Sequence, residues 1–271
     1  MPLAGIETGG QTNAMSPGGQ AGTASPFTIG GGVAAGEDLA GNPGAGGMNP
    51  GAAGEPSAGA VGAASGEDLD LVDDMEARFP NLPLRDGRDG AWFAAHDNTA
   101  DNVVGPSAAT LMPPRGSSRV AAGISGAGFT DWGAQLGLWL RASPKSYDAS
   151  GYCGLHFWAK GSGAGWTFLV SDRSSMPQGG VCDAVNLKSA AGCYHFVGKG
   201  FSVSQDWQEL TLGFNQLRLV ADPTSPRRLE TNAIYTIMFN FHNDAGSAFR
   251  LIVDDISFVR AGSDMCPLGS P

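Results

Sequence analysis

Three carboxylates stand where they could act together. In "LVDDMEA" Asp74 and Glu76 are two residues apart, so on an extended chain they share a face. In "FRLIVDDISFVR" alternation puts Asp254 in a row with Ile252, Ile256 and Phe258, and Asp255 with Leu251 and Val253. A lone carboxylate in such an apolar row costs several kcal/mol to desolvate or takes up a proton, so Asp254 needs a partner. If the first and last strands are neighbours, Asp74, Glu76 and Asp254 converge. Hard oxygen donors without His or Cys suit Ca2+, with loop carbonyls such as those of "RDGRDG" completing the shell. The plain alternative is that Asp254 caps a strand end or pairs with an arginine such as Arg88, leaving Asp74 and Glu76 in water.

These residues must be positioned by strands. "LDLVDDMEA" (69–77), "GAWFAAH" (90–96), "SRVAAGI" (118–124), "AQLGLWLRA" (134–142), "CGLHFWAK" (153–160), "GWTFLVSD" (165–172), "WQELTLGF" (207–214), "AIYTIMFNFH" (233–242) and "FRLIVDDISFV" (249–259) have strand length and β-branched or aromatic enrichment. Between them "PNLPLRDGRDG", "VGPSAATLMPPRGSS", "GSGAG" and "PTSP" form turns. No amphipathic helix stands out. The pattern predicts an all-β fold, a two-sheet antiparallel β-sandwich or jelly roll. In "IYTIMFNF" the row Tyr235, Ile237, Phe239, Phe241 suits the core. The row Ile234, Thr236, Met238, Asn240 faces outward and is only partly polar, as a face receiving a ligand would be; core packing explains it equally.

Composition sets the limits of this domain. Residues 1 to 68 hold 19 of the 42 glycines and none of the 16 Lys and Arg, too little apolar surface to offset the entropy of ordering them. They read as a disordered tether, followed by a sandwich over 69–262 and a tail over 263–271. Six of the 26 acids lie in the tether, so residues 69 to 271 carry 20 acids against 16 bases, a formal −4. That balance argues against nucleic acid, which needs a basic footprint. No apolar run reaches 18 residues, so no transmembrane helix is expected. "MPLAGIETGG" lacks the basic and apolar regions of a signal peptide, so the protein stays inside or its leader is missing from the sequence.

Cys182 and Cys193 bracket "DAVNLKSAAG", and a disulfide there removes roughly 3 kcal/mol of unfolded-state entropy on the chain-entropy model. Free thiols are the bland reading, and zinc ranks last because no CxxC or HxxxH supplies four ligands. An even cysteine count in this Gly-rich, Lys-poor chain favours an oxidising compartment, and Cys153 and Cys266 are left as a further candidate pair. His96, His156, His195 and His242 are scattered and read as structural. There is no G-x-S-x-G, H-E-x-x-H or G-x-x-x-x-G-K. Asp172, Asp183, Asp206 and Glu209 are the acids left for a glycosidase pair, but no second domain builds a cleft around them.

"LVDDMEA", "YDASGYCGLHFWAKGSG", "WQELTLGF" and "FRLIVDDISFV", in this order, resemble the galactose-binding-like jelly rolls of bacterial carbohydrate-binding modules, those of cellulases and the domain shared with the complex I intermediate-associated protein. "SDRSSMPQGGVCDAVNLKSAAGCYHF" resembles the Cys-bracketed insertion of a secreted subgroup with a Gly/Ala/Ser-rich tether. The resemblance covers about 190 of the 271 residues. It implies a non-catalytic, sugar-binding sandwich, secreted or surface-tethered in lipoprotein-like fashion. It also implies one structural calcium on Asp74, Glu76 and Asp254.

Sugar recognition pairs aromatic faces with amides and carboxylates. "AWFAAHDN" supplies Trp92, Asp97 and Asn98, "TDWG" supplies Trp132, and "NFHND" supplies Asn240 and His242. Each has a plain alternative: Trp92 packs, and Trp132, flanked by Asp and Gly, is either a platform or packed. Trp139, Trp158 and Trp207 read as core. The expected partner is a polysaccharide or oligosaccharide, bound by a monomer outside the cell or on its surface. The alternatives are an envelope domain for protein contact or adhesion, and a glycoside hydrolase.

Overall fold

The computed structural model describes residues 67–100, 103–142, 145–189, 191–242 and 247–267. Of the expected tether only Glu67 and Asp68 are among them, and of the expected tail the last four residues are not. Twelve strands form: β1 (Leu69–Asp73), β2 (Trp92–His96), β3 (Val104–Arg115), β4 (Ser118–Gly126), β5 (Ala134–Trp139), β6 (Tyr152–Ser162), β7 (Trp166–Asp172), β8 (Val197–Gly200), β9 (Gln208–Gly213), β10 (Arg218–Leu219), β11 (Ile234–Phe241) and β12 (Phe249–Arg260). Sheet one has the order β3-β4-β12-β6-β9, with β1 also paired to β12; sheet two runs β10-β8-β7-β11-β5-β2. All pairings between these strands are antiparallel, so the fold is the two-sheet sandwich expected.

One core fills the space between the sheets. Phe157 of β6, Phe168 of β7 and Phe239 and Phe241 of β11 are buried in it, together with Trp166, Ile237 and Phe258. Phe157 meets Phe239 edge-on at 5.1 Å. Each such side chain contributes about 1.5–3 kcal/mol by leaving water. The inner row of β11 is thus Ile237, Phe239 and Phe241, as alternation predicts, while Tyr235, expected with them, is buried outside this core. A register shift between Ile234 and Thr236 brings Ile234 into the core as well, against the simple alternation.

Two irregularities change the sequence reading. First, β1 ends at Asp73, and Met75 has φ +59, so Asp74 and Glu76 lie in the turn after the strand and not on its face. Second, β12 carries a bulge: pairing with β6 shifts between Asp254 and Ser257, and Asp255 has φ +46. A bulge inserts one residue and exchanges the rows beyond it. Leu251, Val253, Ile256 and Phe258 therefore all enter the core, while Ile252 packs with Leu111 and Ala121 on the other side. Asp254 interrupts no core row. The first and last strands are neighbours as expected, with Leu69 opposite Val259 and Asp73 opposite Ile256.

"VGPSAATLMPPR", read from sequence as a turn segment, forms β3. It lies at the edge of sheet one, where a proline's missing N–H interrupts no ladder. Both cysteine pairs are disulfides, Cys153–Cys266 and Cys182–Cys193.

Candidate functional site

The carboxylate group is the first place to look. Ser118 Oγ lies 2.7 Å from Asp254 Oδ2 and 3.3 Å from Glu76 Oε1, so two of the three expected ligands do converge. Their oxygens, however, face protein donors. Asp254 Oδ2 accepts from Arg115 Nε (3.1 Å) and Nη2 (2.9 Å), and its Oδ1 from the Asp255 N–H (2.9 Å). Glu76 Oε1 accepts from the Arg119 and Val120 N–H groups at 2.7 and 2.8 Å, which hold its carboxyl below the usual range. Asp74 turns to the Glu76 N–H (3.2 Å). Burial pushes the Asp254 carboxyl up, against the pull of Ser118 and Arg115. This donor set fits a guanidinium and N–H groups, not a hard cation. Among the described residues no group of three or more His, Cys, Asp and Glu could hold a metal ion. The positive charge that meets Asp254 comes from Arg115.

The outer face of sheet one is filled by its own side chains. The Arg115 guanidinium lies 4.8 Å from the ring centre of Trp158 and 5.5 Å from that of Trp207, and Lys160 Nζ lies 4.9 Å from Trp207. Trp158 and Trp207 are half-buried here, outside the main core where they were expected. Their cations compete with any ligand for the indole faces.

Sheet two has a different outer face. Register aligns Phe93 (β2), Gly137 (β5), Met238 (β11), Leu169 (β7) and Gly198 (β8) in one row running across the strands. Their neighbours Leu138, Ile237, Val170 and Val197 point into the core, so this row points out. The glycines let large groups lie down on the sheet. A Cβ on Gly137 would sit 2.2 Å from Phe93 Cζ, and one on Gly198 would sit 2.6 Å from Leu169 Cδ2 and 3.0 Å from Val220 Cγ2. Met238 and Leu169 are only 2% and 7% exposed although they face outward, so their neighbours stand above them. The result is an apolar stripe with a low floor. On one side of it Gln135, Asn240 and Thr167 align in a polar row; on the other, Trp139, Thr236 and Ser171. Trp139 is half-buried and its ring lies 5.9 Å from that of Phe93.

Three of the residues expected at a site meet at one end of this face. The Asn240 Nδ2 donates to the Trp132 carbonyl (3.3 Å), and Trp132 is 38% exposed. Asp97 holds the loop beneath, accepting from Thr99 N and Oγ1, Asp131 N and Gly133 N at 2.9, 2.6, 2.9 and 2.9 Å. Burial raises its carboxyl, but those bonds outweigh it and leave the group below the usual range. Trp92 is elsewhere: it is 4% exposed in the core, and its Nε1 donates to Asp73 (2.7 Å). Asn98 is exposed in the left-handed region at φ +60, its N–H donating to His96 Nδ1. His242 is exposed after β11, its N–H donating to the Gly165 carbonyl. Asn243 and Asp244 lie outside the described residues.

Phe93, Gln135 and Thr167 were not singled out from sequence, and Trp139, expected in the core, lies half-buried on this outer face. The signal that finds them is the outward row of "IYTIMFNF", once the matching rows of its neighbours, Gln135/Gly137/Trp139 and Thr167/Leu169, are laid beside it.

No family model and no curated protein matches the chain. Solved structures similar to it include the Family 11 Carbohydrate-Binding Module of cellulosomal cellulase Lic26A-Cel5E of Clostridium thermocellum. It is 19% identical with a TM-score of 0.47, over 73% of this chain and 97% of that one. A Family 11 module from Clostridium thermocellum in complex with a β-1,3-1,4-mixed-linked tetrasaccharide is 18% identical, TM-score 0.45, over 71% and 96%. The Family 30 module of cellulosomal cellulase Cel9D-Cel44B of Clostridium thermocellum is 14% identical, TM-score 0.43, over 64% and 92%. What the strand pairings of this chain show by themselves is a sandwich of two antiparallel sheets. The chemistry of this chain is read from its own faces.

Proposed function

We propose that the protein is a non-catalytic module that binds a polysaccharide chain across the outer face of sheet two. One observation carries the reading: an apolar row, Phe93–Gly137–Met238–Leu169–Gly198, flanked by the Gln135–Asn240–Thr167 row of amides and a hydroxyl. A pyranose ring has C–H-rich faces and a rim of hydroxyls, so a chain of them needs this alternation of apolar floor and polar edge. Of the four acids considered for hydrolysis, Asp172 and Glu209 lie on different sheets. Asp172, on β7 of sheet two, is fully buried against Arg227 (2.7 Å). Glu209, on β9 of sheet one, pairs with His156 (2.8 Å). Two disulfides support an oxidising compartment, outside the cell or on its surface.

Titration calorimetry against mixed-linkage β-glucan, xylan, mannan and galactan tests the reading. Binding to at least one glycan is expected, weakened roughly tenfold or more by Phe93→Ala or Trp139→Ala, the order of one lost aromatic contact plus its buried area. A folded protein retained by none of them would favour the protein-contact reading. The exposed Val181, Val185 and Leu187 of the disulfide loop, 58%, 95% and 43% exposed, then become the surface to examine.

A further inference from the structure

The apolar stripe does not stop at Leu169. Beyond it lies a hollow of about 190 Å³ lined by Leu169, Tyr194, His195, Phe196, Val220 and Ala221. Leu169 belongs to both, so the hollow continues the stripe toward the β8–β10 edge. Tyr194 and Val220 are 47% and 50% exposed, an uncommon investment of apolar area in water. Tyr194 is also held in the left-handed region at φ +68, where an aromatic residue is rare. Four restraints keep it there. The Cys182–Cys193 disulfide closes the segment immediately before it. Its N–H donates to the Ser175 carbonyl (2.7 Å), and the Cys193 N–H to that of Asp183 (3.1 Å). Phe196 meets the Tyr194 ring edge-on at 6.4 Å. His195 is fixed through its carbonyl, which accepts from Arg227 Nη1 (2.6 Å).

We propose that the disulfide-closed segment 182–193 exists to present Tyr194 as the wall of one additional sugar-ring site at the end of the stripe, with Val220 and Leu169 beneath the ring and the His195 imidazole for its hydroxyls. The proposal rests on the reading of sheet two as the glycan-binding face. An apolar hollow with one polar group, continuous with a row suited to a sugar chain, takes the next ring of that chain. Tyr194 therefore sets the length of chain the protein prefers.

Calorimetry with cello-oligosaccharides and mixed-linkage β-glucan oligosaccharides of three to seven rings tests it. For the wild type the affinity should keep rising with chain length after that of Tyr194→Ala has levelled off. At the longest chains Tyr194→Ala is expected to bind about tenfold more weakly, as for one lost aromatic contact, while the shortest chains bind both proteins alike. Tyr194→Phe, which keeps the ring, should stay within about threefold of the wild type, a hydroxyl's share. The double variant Cys182→Ser/Cys193→Ser should lose the same length dependence. Equal affinities of wild type and Tyr194→Ala at every length would overturn the subsite. If Phe93→Ala still abolishes binding in that case, the reading of the face stands without it. If none of these oligosaccharides binds the wild type, the subsite falls together with that reading.

Discussion

Asp254 is fully buried, and it is tolerated there because Arg115 reaches it from the end of β3. The same guanidinium pairs with Asp255 and lies over Trp158, so one side chain neutralises two carboxylates and covers an indole. Removing one partner of a buried pair leaves the other uncompensated, at a cost of about 3–5 kcal/mol. Arg115→Met should lower the urea midpoint accordingly. A chelator should leave the melting temperature of the wild type unchanged, since the charge is already met within the chain. A fall of several degrees on adding EDTA, reversed by Ca2+ alone, would show that a metal takes the place of Arg115. Asp70 offers a second test. It is buried against Arg88 (2.8 Å) and also accepts from the Tyr152 hydroxyl. Burial raises its carboxyl, but these bonds prevail and hold it below the usual carboxylate range. A depressed folded pKa gives stability that is full above the unfolded value and is lost as pH falls through the folded one. Stability should thus decline below about pH 4, less steeply in Asp70→Asn, as acid titrations followed by circular dichroism will report. That Asp254 meets a partner was expected from sequence, though from a row with Ile252, Ile256 and Phe258 that the bulge breaks up. Which partner was not, because Arg115 lies 139 residues away and comes from a segment whose prolines conceal the strand.

At the scale of elements, alternation located nine strands and failed where the backbone breaks its own period. The bulge at Asp255 reverses which residues of β12 face the core, and no composition signal marks it. β8 and β10 are four and two residues long, below the length at which a period can be read. The outer face of sheet two escaped for a related reason. It consists of single outward residues from five strands, so only register, not any one segment, brings them together. Gly137 shows what register does. It gives Phe93 its place flat on the sheet, and a methyl there would meet the ring. Since a side chain can yield where backbone cannot, Gly137→Ala should leave the protein folded, at a cost of about 1–3 kcal/mol. It should nonetheless tilt Phe93 and weaken glycan binding severalfold. Unchanged affinity with an intact fold would remove Phe93 from the site.

For the molecule as a whole, cross-links and charge decide what surrounds the sandwich. Cys153–Cys266 ties β6 to the segment after β12 across a sequence separation of 113 residues. On the chain-entropy model a loop of that length is worth about 4–5 kcal/mol, more than the short loop closed by Cys182–Cys193. No helix among the described residues is long and apolar enough to cross a membrane. The polar row of sheet two, Gln135, Asn240 and Thr167, contains no charge at all. The neutral glycan proposed for this face would meet no ionised group in that row, and its binding there would release no counterions. Glycan affinity should therefore stay within about twofold between 50 mM and 1 M NaCl, because screening acts on charge and not on stacking or amide hydrogen bonds. Calorimetry across that range gives the answer: a steep fall with salt would mean an anionic ligand held by Arg115 and Lys160 on the opposite sheet, and the face assigned here would be the wrong one.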